Sequence, residues 1–105
     1  MKIHRAVSPR QEAAAERALF NAVLTLRSLE ECRDFFRDLC TPAELQALAD
    51  RWAVVGLLRQ GMPYREIQRV TGVSVTTIGR VARCLAAGSG GYTLAAQRLA
   101  ERRHG

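Results

Sequence analysis

The stretch YREIQRVTGVSVTTIGRV, residues 64–81, constrains the fold more than any other part of the chain. Two short apolar-periodic runs flank Gly72-Val73-Ser74, so one helix stops and another begins almost at once. The first run predicts a helix from Tyr64 to Thr71 with Ile67 and Val70 inward. Gly72 stands where the chain must turn through a left-handed conformation, which glycine adopts at little cost. Val73 is apolar inside the turn and fits between two crossing helices, and Ser74 is an N-cap for the second helix. The second run sets Val75, Ile78, Val81 and Leu85 toward a core. Thr76, Thr77, Gly79 and Arg80 remain outward, with Arg83 a turn later. This is the pattern of a helix-turn-helix over about residues 63–87, whose second helix enters the major groove of DNA. Gln68 departs from it. A small residue is usual where the helices cross, so the amide must point outward or the crossing must open. An αα corner in a small helical domain would use the same turn, so charge has to help decide.

The net charge is +6 over 105 residues, and it is unevenly placed. Residues 1–58 carry eight Lys/Arg against eight Asp/Glu, whereas residues 59–105 carry eight arginines against only Glu66 and Glu101. The whole excess therefore lies in the half that holds the turn, which points to a polyanionic partner. Arginines and hydroxyls on the outward face suit duplex DNA: Arg clamps phosphate or reads guanine, and short polar residues approach the backbone. Arg65, Gln68, Arg69, Ser74, Thr76, Thr77, Arg80 and Arg83 are the candidate DNA-binding residues.

The remaining chain reads as helices throughout. Residues 1–11 lack periodicity and are expected to form a flexible arm, ahead of one helical domain over 12–105. A first helix over about 12–27 shows Leu19, Ala22, Val23 and Leu26 at helical spacing. Ser28 and Glu31 form a capping box for a second helix with Leu29, Cys32, Phe35, Phe36 and Leu39 on one side. Thr41-Pro42-Ala43-Glu44 starts a third, carrying Leu45, Leu48, Ala49, Trp52, Val55 and Leu58 and ending at Gly61. Gly88-Ser89-Gly90-Gly91 breaks the chain before a last short helix from Tyr92 to about Arg102, with a frayed tail. No segment alternates at period two. A chain of this size buries a modest share of its surface alone and often gains core by dimerising.

Several function classes fall away. Cys32, Cys40 and Cys84 are odd in number and widely spaced, which argues against disulfides and zinc and for reduced thiols in a cytoplasmic protein. No run approaches the ~20 apolar residues of a membrane span, and the first residues do not resemble a signal peptide. His4 and His104 lie at opposite ends, and no nucleophile pairs with a base, so no enzyme and no metal site are expected.

Taken together, LFNAVLTLRSLEECRDFFRDLCTPAELQALADRW, LLRQGMPYREIQRVTGVSVTTIGRV and GGYTLAAQRL resemble the Trp-repressor superfamily, in its YerC/YecD branch. The likeness spans roughly residues 17–100. It implies an all-α, six-helix Trp-repressor-like fold that forms an intertwined homodimer with two reading heads. The residues alone leave open whether Leu19, Val23, Phe35, Phe36, Leu39, Leu48 and Trp52 fill an intrachain core or a dimer core. The resemblance further implies that Arg65 matches a position sending an arginine to DNA. It also places Thr41, Arg51 and Arg80 at positions that hold L-tryptophan between the third and recognition helices. Three matched positions differ: Val81 and Ser74 replace glycines, and the Cys84 thiol, a weak hydrogen-bonding group, replaces a hydroxyl. Tryptophan is therefore disfavoured, and no cofactor is expected. Another small-molecule corepressor at Thr41, Arg51, Arg80 and Cys84 stays open, with Arg51 expected in an internal ion pair. The expected function is a sequence-specific transcriptional regulator, a repressor, bound as a homodimer to a near-palindromic double-stranded site. The alternative is a helical dimeric protein-interaction module with little DNA binding.

Overall fold

The computed structural model describes residues 7–104, and among these it forms six helices and no strand. They are α1 (Pro9–Val23), α2 (Leu29–Leu39), α3 (Pro42–Arg59), α4 (Tyr64–Thr71), α5 (Val75–Ala87) and α6 (Gly91–His104). The chain divides into two compact units, Met1–Cys40 and Thr41–Gly105.

In the first unit, α1 begins within the segment read as an arm. Ser8 and Gln11 form a reciprocal capping box, with the Ser8 N–H donating to Gln11 Oε1 at 2.8 Å and Pro9 at the first helical position. Such a start needs no apolar periodicity, so periodicity alone places residues 9–11 in the arm. Residues 1–6 of that arm, His4 included, lie outside the described residues. The helix also stops early, at Val23. Thr25 Oγ1 donates to the Ala22 carbonyl at 2.6 Å, a local bond that competes with helix continuation. The Ser28 box is shifted by one residue: Ser28 Oγ accepts from the Glu31 N–H, but the Glu31 carboxylate reaches the Arg27 N–H instead. Leu19, Ala22, Val23 and Leu26 are half-buried, as are Phe35 and Phe36, whose rings meet edge-on at 5.4 Å. Neither α1 nor α2 holds a fully buried residue.

The second unit is built on an aliphatic core of Val54, Val55, Ile67, Val73, Ile78 and Val81. Helix α3 starts at the Thr41/Glu44 capping box read from the sequence. Its end is a Schellman motif, in which the Gly61 N–H donates to Leu58 and the Met62 N–H to Leu57. Leu57 and Met62 both pack on the core. Gly72 adopts φ 76° and its N–H closes α4 on the Gln68 carbonyl at 2.8 Å. Ser74 caps α5 through the Thr77 N–H. At the end of α5, a Cβ on Gly88 would lie 2.4 Å from the Cys84 carbonyl oxygen, so glycine is required there sterically. Helix α6 runs on to His104, through residues expected to fray. Tyr92 at its start stands 6.2 Å from Trp52 of α3, ring centre to ring centre. No described helix is long and apolar enough to cross a membrane.

A side chain at position 72 should strain the left-handed turn by about 1–2 kcal/mol. Urea unfolding of Gly72→Ala should show a loss of that size, whereas Gly91→Ala, exposed and open at the start of α6, should cost nothing or stabilise.

Candidate nucleic-acid interface

Two sets of side chains divide the α4–α5 pair. Ile67, Ile78 and Val81 have no exposed surface, and Val73 enters the core from within the turn. The turn is wired by a side chain the sequence did not single out. Thr71 Oγ1 donates to the Ile67 carbonyl at 2.6 Å and accepts from the Val73 N–H at 3.0 Å. Thr71 thus satisfies two backbone groups at the helix junction, and it takes the inward place expected for Val70. Val70 is 49% exposed, because on this eight-residue helix the narrow buried stripe runs from Ile67 to the residue four places on. Val75, also expected inward, is 46% exposed: it opens α5, and Val73 already occupies the core beneath the turn.

Of the candidate DNA-binding residues, Arg65, Gln68, Arg69, Ser74, Thr76, Arg80 and Arg83 are exposed and Thr77 is half-buried. The Gln68 amide points outward, which removes the difficulty its size raised at the crossing. Three of the eight are already engaged. Ser74 Oγ accepts from the Thr77 N–H at 3.2 Å and donates to Thr77 Oγ1 at 3.1 Å, so both hydroxyls serve the cap. Arg69 binds Glu66 through two hydrogen bonds, with Nε to Oε1 at 3.0 Å and Nη2 to Oε2. This is the sole ion pair among the described residues. The Arg69 hydrogen bond holds the Glu66 carboxyl below its ordinary value, and the same bond raises the Arg69 guanidinium. Arg65, Thr76, Arg80 and Arg83 make no side-chain hydrogen bond or ion pair among the described residues. They form a polar, positively charged surface over α4 and the outward side of α5.

The possible ligand residues are placed differently. Thr41 is occupied as the α3 cap. Arg51 is half-buried but enters no ion pair among the described residues, contrary to expectation; its neighbour Asp50 accepts from Gln46 Nε2 at 2.8 Å. Arg80 is exposed on α5, and Cys84 is a half-buried free thiol, like Cys32 and Cys40. A groove of about 490 Å³ opens between α3 and α6, and none of these four lines it. Trp52, Val55, Gly56 and Leu99 line it, together with Arg59 and Arg103. No cluster of His, Cys, Asp or Glu among the described residues could hold a metal ion.

Known proteins share this fold. The family model described as Trp repressor protein matches residues 15–100. The uncharacterized protein YerC of Bacillus subtilis (strain 168) is 49% identical over 83 residues, covering 79% of this chain and 80% of YerC. A crystal structure of a TrpR like protein from Eubacterium eligens ATCC 27750 superposes with a TM-score of 0.81 at 39% identity, over 89% of this chain and 96% of that one. A Staphylococcus aureus structure, described as a candidate Trp repressor, gives 0.79 at 40% identity, over 89% and 95% of the two chains.

Because the Glu66 shift comes from Arg69, carboxyl NMR should show Glu66 titrating below an ordinary glutamate. Arg69→Gln should return that midpoint to the ordinary range.

Proposed function

The chain belongs to the Trp repressor protein family, in the branch of YerC, and we propose that it acts as a homodimeric, sequence-specific DNA-binding regulator, a repressor, through α4 and α5. The observation that carries this reading is the outward side of α5. Thr76, Arg80 and Arg83 stand exposed and, among the described residues, without partners, on a helix whose opposite side is locked into the core. A rigid rod with free donors is what major-groove reading requires. Arg65 adds a second free guanidinium from α4. Arg80, Thr76 and Arg65 are assigned to base edges, and Arg83 to phosphate. Arg69 reaches phosphate only by exchanging Glu66 for it, and Ser74 and Thr77 hold the helix start in place.

Pairing of two copies is supported by apolar surface that one chain leaves open. Leu48 and Trp52 on α3 and Leu94 and Leu99 on α6 are all exposed in the single chain, and Trp52 and Leu99 line the groove between the two helices. Leu39 of α2 is half exposed as well. A two-fold pair would set two copies of α5 about one DNA turn apart, ~34 Å, on a near-palindromic site. The reading includes no tryptophan corepressor. Val81 has no exposed surface and fills core space at the position matched to the family's glycine, and Thr41 is committed to its cap.

A second reading, a helical dimeric interaction module with little DNA binding, draws on the exposed Val70 and Val75 beside the turn. Low salt separates the two. DNA reading requires binding to duplex near 50 mM salt that weakens steeply as salt rises; no binding there leaves the interaction module.

Selection of sites from random duplex should return an inverted repeat with half-site centres about 10 base pairs apart. On that site, Arg80→Ala and Arg65→Ala should each lose about 1–3 kcal/mol and relax preference at one position per half-site, with little change on random duplex. Equal losses on both DNAs would mean that neither residue reads sequence. Adding L-tryptophan to 1 mM, about ten times a Kd of about 0.1 mM, should leave the DNA affinity unchanged.

A further inference from the structure

The outward side of α5 contains one residue that the fold itself does not call for. Gly79 sits in the interior of the helix, half exposed, with Thr76 a turn before it, Arg80 beside it and Arg83 a turn after. Glycine is among the least favourable residues for a helix interior. The usual reasons for one are missing here. Gly79 is not in the left-handed region, unlike Gly61, Gly72 and Gly90. A Cβ built on it would meet only Arg83 Nη1, at 3.6 Å, which is ordinary van der Waals contact. Gly88, at the end of the same helix, shows the contrast, since there a Cβ collides with backbone. Alanine at 79 would therefore fit the free protein and strengthen the helix. What the missing side chain leaves is a notch in the surface proposed to face DNA, overlain only by the end of an exposed arginine.

We propose that Gly79 is a specificity-determining position, whose notch admits the 5-methyl group of a thymine in the major groove. The assignment rests on the DNA-reading role of α5 proposed above. Base edges present polar atoms almost everywhere in the major groove, and each of those needs a donor or acceptor. Glycine has no side chain to supply one, and the amides of a helix interior are already bonded within the helix. The thymine methyl is the apolar group that projects there, and it asks only for room and for removal from water. Around the notch, Thr76 carries a methyl group, and Arg80 and Arg83 carry aliphatic stems. Arg83, without an ion-pair partner among the described residues, is free to leave the notch for a phosphate.

The test uses the full-length wild type and Gly79→Ala, each selecting from the same random duplex pool. Affinities are then measured for the wild-type consensus with thymine or with deoxyuridine at each thymine position. The wild-type site should contain a thymine at the same place in both half-sites. Replacing it with deoxyuridine should weaken wild-type binding about 4-fold for each methyl removed. Gly79→Ala should melt a few degrees higher, bind the thymine site at least about 10-fold more weakly than wild type, and no longer distinguish thymine from deoxyuridine. Arg80→Ala should keep that distinction while losing preference at another position. The assignment is overturned if Gly79→Ala binds the consensus as wild type does, or if deoxyuridine has no effect at any thymine. It is equally overturned if Gly79→Ala loses the same factor on consensus and random duplex, which would mark a backbone contact. Failure of the wild type to bind any duplex near 50 mM salt removes the DNA-reading role itself, and this assignment with it.

Discussion

Insertion of Val73 between α4 and α5 is the contact on which the second unit depends. A turn residue ordinarily faces water, yet this one is 8% exposed and shares a core with Ile67, Ile78, Val54 and Val55. Its burial needs a chain reversal just before it, which Gly72 provides at φ 76°, and a helix start just after it, which Ser74 provides. Three adjacent residues therefore do three different jobs, and each would be ineffective without the other two. With the turn pinned, Ile78 and Val81 lock one side of α5 inward. The opposite side then has no choice but to present Thr76, Arg80 and Arg83 outward.

Charge acts on this frame without holding it up. The described residues contain one ion pair, on the surface of α4, and the core contains no polar side chain. Exposed pairs of this kind contribute little to stability. What Glu66 does is occupy Arg69, leaving Arg65, Arg80 and Arg83 as the uncommitted guanidiniums around the turn. The electrostatic character of the surface therefore depends on which arginines lack a partner, more than on how many there are.

Local signals in the sequence are readable, and those that depend on competition between neighbours are not. The caps at Thr41 and Ser74, the left-handed turn at Gly72 and the stop at Gly61 each depend on residues within four positions of one another, and the structure has them all. Ser8 carries an equally local signal, but apolar periodicity passes over it. Val75 is misplaced by spacing because Val73 already fills the core beneath the turn, and Val70 because a helix allows either the third or the fourth neighbour inward. Thr71 wins that contest through hydrogen bonds that hydropathy does not register. Arg69 looks as free as Arg65 on paper; only the geometry of α4 shows that Glu66 holds it. The groove between α3 and α6 joins residues some forty positions apart, and no short-range pattern announces it.

The Thr71 hydroxyl bridges the Ile67 carbonyl and the Val73 amide, so the bend between α4 and α5 is stitched within seven consecutive residues. Together with the packing of Val73 on Val54 and Val55 of α3, that stitching sets the angle of the bend from within the second unit. In the pairing proposed above, sequence drift in α1 or α2 would alter the span between two copies of α5 and leave the bend of each untouched. A chain with the same turn and different pairing surfaces would then carry the same outward face at a new spacing.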